Sequence, residues 1–183
     1  MFPAWNALVF ELCCLTAMFL VINFDLWPLN PKAMGQPLLG LVWTIEAIAI
    51  GGLIFYVGVV AMGMDVVAFM VRVPVPFIFG TIVVLNMLQN SLAAKLTQPV
   101  KGIVNVLLIA VIGTGLARLY EALMPMVTGK LAYGAPTYDF EIWLASALLS
   151  TTFPFLMFYA EFFKYWPLAK QAAPVSASST GSR

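Results

Sequence analysis

Histidine is absent from the 183-residue sequence, and its only two cysteines, Cys13 and Cys14, are neighbours in an apolar run. Without histidine, the chain lacks the usual general base and a common ligand of metals and haem. Adjacent cysteines on a helix point about 100° apart, which excludes an ordinary disulfide between them. We predict that they are small packing residues; lipidation and a bridge to another chain are the alternatives.

Charge is also scarce. Charged side chains make up 9% of the sequence and hydrophobic ones 62%, whereas soluble domains carry about 25% charged residues. This composition predicts an all-α integral membrane protein, a bundle of about five transmembrane helices, with any function in the helices or their short loops. The nine Lys and Arg are scattered and the formal net charge is +1, so we expect neither a nucleic-acid partner nor a surface patch for anionic lipid.

Catalytic sequence motifs are missing as well. The chain has no Walker loop, no dinucleotide-binding glycine motif, and no GxSxG, HExxH or CxxC pattern. We therefore predict no catalytic residue, no metal ligand and no intrinsic cofactor, and we expect bound lipids. An intramembrane enzyme that acts on a lipid stays the third functional option.

Apolar runs separated by loops rich in proline and glycine predict five membrane spans. They cover residues 5–24, 38–62, 76–97, 100–120 and 140–165. We expect one transmembrane domain at residues 1–169, followed by a disordered polar tail at residues 170–183.

Two regions complicate this pattern. In "VVAFMVRVPV", residues 66–75, Pro74 and then Pro76 interrupt any helix. The apolar half before Arg72 fits either the membrane interface or insertion. Pro154 lies near the middle of the fifth span and predicts a kink.

The distribution of positive charge predicts the orientation. With the amino terminus outside and the carboxyl terminus inside, six Lys and Arg lie inside and three outside. The inner ones are Lys32, Lys95, Lys101, Lys164, Lys170 and Arg183, and the outer ones are Arg72, Arg118 and Lys130. No Lys or Arg precedes the first apolar run, which favours a permanent span over a signal peptide. The pattern suits a bacterial cytoplasmic membrane, and an organelle membrane would give a similar pattern.

Glu46 is the clearest functional candidate. It lies in "LVWTIEAIAI", about 12 Å from the inner end of the second span, where a charge costs at least about 2.5 kcal/mol. In the third span Asn86, Gln89 and Asn90 are spaced three and four residues apart and share one helix face. Because the depths of Gln89 and Asn90 match that of Glu46, we predict that these polar groups form a cluster. Such a cluster is either a packing contact between helices or a proton or solute site.

Two further groups of polar residues are secondary candidates. Glu11 in the first span is either an interfacial carboxylate or, with the two cysteines and Thr16, part of a polar path. In the fifth span Ser150 and Thr151 precede Pro154, and their hydroxyls either satisfy the carbonyls that proline frees or line a cavity.

Small residues recur on one side of two spans, which predicts a compact bundle or a docking surface. They are Ala47, Gly51 and Gly58 in the second span and Ala110, Gly113 and Ala117 in the fourth. With short loops and few ligands, this favours a non-catalytic membrane subunit that stabilises a larger complex, an energy-transducing or redox complex being one option. A small-solute or proton-coupled transporter or channel that uses Glu46 and the amide face is the alternative. The expected partners are other integral membrane subunits and lipids.

Overall fold

The computed structural model describes residues 3–25, 27, 35–88, 93 and 95–164. The structure is 79% helical, and no strand occurs among the residues it describes. The helices are α1 Ala4–Asn23, α2 Leu38–Phe55, α3 Val66–Arg72, α4 Pro74–Ile82, α5 Val100–Val127 and α6 Asp139–Glu161. The predicted all-α bundle is thus confirmed.

Two of these helices continue into π-helical turns, which lengthens them to membrane size. Tyr56–Ala61 extends α2, and Val83–Met87 extends α4. Counting these turns, five helical units are long and apolar enough to cross a membrane. They are Ala4–Asn23, Leu38–Ala61, Val66–Met87, Val100–Val127 and Asp139–Glu161.

The third unit begins ten residues earlier than predicted, at Val66 rather than at residue 76. Asp65 caps α3, because its Oδ1 accepts hydrogen bonds from the backbone N–H groups of Val67 and Ala68 at 3.0 Å. Pro74 is the first residue of α4, where its missing N–H costs no hydrogen bond. The expected proline interruption is therefore confined to Val73, between α3 and α4.

The third unit also ends ten residues earlier than predicted, at Met87 rather than at residue 97, with residues 89–92 and 94 outside the described ones. The other boundaries differ less. The first two units begin at Ala4 and Leu38, within one residue of the prediction. Helix α5 continues seven residues past the predicted end, to Val127, and α6 runs through Pro154 to Glu161. The polar tail lies outside the described residues.

The combined α3 and α4 unit lies at the centre of the bundle and contacts α1, α5 and α6. Val67, Phe69 and Val71 are almost fully buried, which places this part of residues 66–75 in the core. Helices α4 and α5 approach so closely that a Cβ on Gly113 would clash with the carbonyl of Pro76. The close approach requires glycine at this position.

Helix α2 packs mainly on α1. In the whole unit Leu38–Ala61 only Gly51 and Gly58 are buried. A Cβ on Gly51 would lie 2.6 Å from the Cα of Cys14, and one on Gly58 would clash with the ring of Phe69. These glycines of the predicted small-residue face therefore serve packing within the chain.

Polar contacts fasten the two ends of the bundle. At one, here called the Lys101 end, Lys101 Nζ and Gln98 Nε2 donate to Asp25 Oδ2 at 2.8 and 2.9 Å. At the other, here called the Tyr138 end, Tyr138 Oη donates to Asp65 Oδ2 at 2.9 Å. Polar groups at both ends and an apolar middle are typical of a bundle that spans a membrane.

Candidate functional site at the break in the third unit

Glu46 lies on α2 near the Lys101 end and is half-buried. It lines a cavity of about 250 Å³ whose other walls are almost entirely apolar. Those walls are Leu20, Val21, Phe24, Trp27 and Ile50. The side chains described around Glu46 belong to α1, to Phe24 and Trp27 just after it, and to α2 itself.

The predicted partners of Glu46 are only partly described. Asn86 is exposed and lies in the π-helical turn Val83–Met87, which packs on α5 and α6. The described neighbours of Glu46 and of Asn86 differ, and their contact stays a prediction. Gln89 and Asn90 lie outside the described residues, so their pairing with Glu46 stays a prediction.

Glu11 and Cys14 share a groove of about 540 Å³ between α1 and α2. Its lining is mostly apolar, although Thr44 also contributes. Two members of the predicted polar path lie elsewhere: Cys13 is fully buried in the core, and Thr16 Oγ1 donates to the carbonyl of Leu12 at 2.9 Å. A path through all four groups is therefore not formed.

Ser150 and Thr151 line a cavity of about 450 Å³ between α5 and α6. Tyr120 and Trp143 form part of its wall. Next to it, the hydroxyls of Tyr120 and Thr152 lie 3.4 Å apart. Both sequence-based interpretations of these hydroxyls stay predictions.

Arg72, which the sequence analysis placed in an outer loop, is the last residue of α3. It lies about 9 Å along the unit from Val66. Its side chain is exposed, and within the part of the chain that the structure describes it forms no ion pair. An arginine at such depth in a membrane is costly and marks a functional candidate.

Two cavities meet at Arg72, and they share Pro76 and Thr114. The first has about 270 Å³ and also contains Arg118 and Glu121. Arg118 Nη1 donates to Glu121 Oε2 at 2.8 Å. Two guanidinium groups thus face one carboxylate, which leaves one positive charge, that of Arg72, without a counter-charge in the cavity.

The second cavity has about 260 Å³ and is more apolar. Leu20, Ile54, Val73 and Phe77 contribute side chains to it, and Arg72 forms part of its wall. The cleft at Arg72, defined here as these two cavities, therefore joins a cationic compartment to an apolar one.

The sequence contained a signal for this cleft. Arg72 follows six apolar residues and precedes Pro74 by two positions. Proline is favoured at the first position of a helix, so an interrupted span with an arginine at its break fits the pattern as well as a loop does.

The sequence did not indicate that Asn105 on α5 is a candidate either. It is 1% exposed, and neither its Nδ2 nor its Oδ1 has a hydrogen-bond partner among the described residues. Asn23 is equally buried but donates from Nδ2 to the carbonyl of Phe19 at 2.8 Å. A buried amide without partners costs about 1–3 kcal/mol, so the Asn105 side chain is an energetically unfavourable feature of α5.

Outside the helical units, the pKa values of two side chains are shifted, one at each end of the bundle. The hydrogen bond from Lys101 lowers the pKa of Asp25, aided by Gln98 and opposed by partial burial. The hydrogen bond to Asp65 raises the pKa of Tyr138, because the neutral phenol is the donor. Both shifts favour the protonation states that hold the ends together at neutral pH.

Within residues 3–25, 27, 35–88, 93 and 95–164, no three Asp, Glu or Cys side chains converge to hold a metal ion. Comparisons with protein-family models, curated proteins and solved structures find no match to this chain. Fold and composition define its class as a helical bundle with five membrane-length apolar helices.

Proposed function

We propose that the protein is a non-catalytic integral membrane subunit that stabilises a larger complex by packing α2 against another membrane protein. The observation that carries this proposal is the exposure of α2. Only 6% of an 18-residue window in Leu38–Ala61 is buried, and α1 is its main neighbour. Such a helix has a long apolar face to offer a second transmembrane protein. A bacterial cytoplasmic membrane, with the amino terminus outside, is the proposed location.

The interior of the bundle supports a packing role over a solute path. Two of the buried hydroxyls donate to carbonyls of their own helices: Thr16 to Leu12 and Thr81 to Phe77, each at 2.9 Å. Such back-bonded hydroxyls satisfy local carbonyls and offer little to a passing solute. Glu46 lies at the edge between α1 and α2, beside apolar side chains.

Site-specific photocrosslinking in the source membrane tests this proposal. A photoreactive residue at Ile45 or Leu53, which are 59% and 61% exposed on α2, should form a discrete adduct with another integral membrane protein. The matched control is Val111, which is 71% exposed on α5. Equal adduct patterns from α2 and α5, or adducts with lipid alone, would contradict the docking role of α2.

A flux assay tests the alternative that the protein is a transporter. Vesicles that contain the purified protein should show no gradient-driven uptake that depends on Glu46. Uptake that disappears in Glu46→Gln, while the variant keeps its size-exclusion profile, would instead establish the transporter alternative.

A further inference from the structure

The cleft at Arg72 combines two features that a single small ion would not require. Its cationic compartment carries one unneutralised guanidinium, and its apolar compartment extends from the same side chain between α1, α4 and α5. A ligand that fits both compartments has an anionic group next to a hydrocarbon chain. Phospholipids with a net negative charge have this construction.

We propose that the cleft at Arg72 binds the phosphate group of an anionic phospholipid, with one acyl chain in the apolar compartment. Arg72 donates to the phosphate oxygens, as guanidinium groups do in bidentate pairs. The Thr114 hydroxyl, at the junction of the two cavities, supplies a further donor. Arg118 contributes positive charge that Glu121 partly cancels.

Size and position favour a lipid over other anions. The cationic compartment, about 270 Å³, falls below the roughly 300–1,000 Å³ of sites for whole small molecules, yet it has room for a phosphate group. Arginine also extends along a helix to reach an interfacial phosphate. A carboxylate of a partner protein would need Arg72 but would leave the apolar compartment empty.

Native mass spectrometry of the delipidated full-length chain tests this proposal. The probes are phosphatidylglycerol and phosphatidylcholine with the same acyl chains. We expect the first phosphatidylglycerol to bind about tenfold more tightly than the first phosphatidylcholine, as one charge-assisted hydrogen bond provides. Arg72→Gln should remove this preference, and it should weaken phosphatidylcholine binding less than phosphatidylglycerol binding because the choline cation already offsets the phosphate charge of that lipid.

Two further variants separate the cleft from general surface attraction. Lys130→Gln removes an exposed cation near the Tyr138 end and should leave the preference intact. Glu121→Gln frees Arg118 and should strengthen phosphatidylglycerol binding, which tests the cleft even if Arg72→Gln fails to fold.

Four results would overturn the proposal. One is equal affinity for the two lipids, and another is an equal loss in Arg72→Gln and Lys130→Gln. The third is displacement of phosphatidylglycerol by inorganic phosphate at the same affinity, which would assign the cleft to free phosphate. Loss of a crosslinked partner in Arg72→Gln with lipid binding intact would likewise overturn it, in favour of a protein carboxylate.

Discussion

The second and third helical units contain 18-residue windows of the same mean hydropathy, 2.1, but 6% of the window in the second unit and 61% of the window in the third is buried. In a membrane both the lipid-facing and the core-facing sides of a helix are apolar, so hydropathy detects a span without giving its place in the bundle. Burial here follows local features: the Asp65 cap, the helix break at Val73 and the contact between Gly113 and Pro76. We therefore make separate predictions for the peripheral helix α2 and for the central unit Val66–Met87.

The central contact should be the most sensitive to added volume. Gly113→Ala places a methyl group against the Pro76 carbonyl, and both belong to packed backbones. We expect a loss of about 3 kcal/mol in the free energy of unfolding, at the upper end of common overpacking costs. Reversible unfolding in mixed detergent micelles measures it.

Gly115→Ala is the control for this change, because a Cβ there meets nothing within 4 Å. It should be neutral or slightly stabilising, since alanine is the better helix former. Equal destabilisation by the two variants would contradict the close approach of α4 and α5.

The peripheral contact between α1 and α2 should tolerate added volume better. Gly51→Ala brings its Cβ to 2.6 Å from Cys14 Cα, but α2 has few other attachments and can move outward. We therefore expect a smaller loss, about 2 kcal/mol, in the same unfolding assay.

Gly52→Ala is the matched control, because its Cβ would lie at an ordinary 3.7 Å from the Phe10 ring. If Gly51→Ala lowered the free energy of unfolding as much as Gly113→Ala, α2 would be held as firmly as the central unit. That result would contradict the difference between the two helical units.

The cap at Asp65 separates the two units. Asp65→Ala removes the acceptor for two backbone N–H groups of α3 and for the Tyr138 hydroxyl. We expect a loss of about 1.5 kcal/mol, within the usual range for a helix cap. Asp65→Asn keeps a good capping group and should lose less than half of that. A similar loss in both would show that charge, and not the cap, is responsible.

The smallest effect should come from the Lys101 end. Asp25→Asn retains a residue that tolerates the positive φ of 49° there and removes the ion pair with Lys101, for a loss of about 0.5 kcal/mol at pH 7. Because the folded pKa of Asp25 is lowered from 3.8, the wild-type advantage is present above that value. It should disappear as the pH falls through the folded pKa. An advantage that persisted at lower pH would contradict this origin.

The sequence predicted helix number and type because long apolar runs admit few alternatives. The start of the third unit was misplaced by ten residues, because Pro74 and Pro76 were interpreted as ending a helix. Their position just after Val73 lets them begin one. The Asp65 cap, which is readable in the sequence, was the overlooked signal.

The candidate site was less predictable than the fold. Glu46 was paired with Gln89 and Asn90 by equal depth and with Asn86 by their shared helix face, but neither property tells which side of a helix faces which neighbour. Arg72 and Thr114 line the same cavities because α4, which follows α3, packs on α5, and no local pattern indicates this packing. For the same reason Asn105 could not be recognised as buried.

If the peripheral helix α2 docks on another membrane protein, as proposed, this chain should be isolated as part of a larger particle. Native mass spectrometry of the particle extracted from its source membrane in mild detergent should then show a stoichiometric assembly with at least one different integral membrane protein. A particle that contains only this chain, alone or as a homo-oligomer, would contradict it.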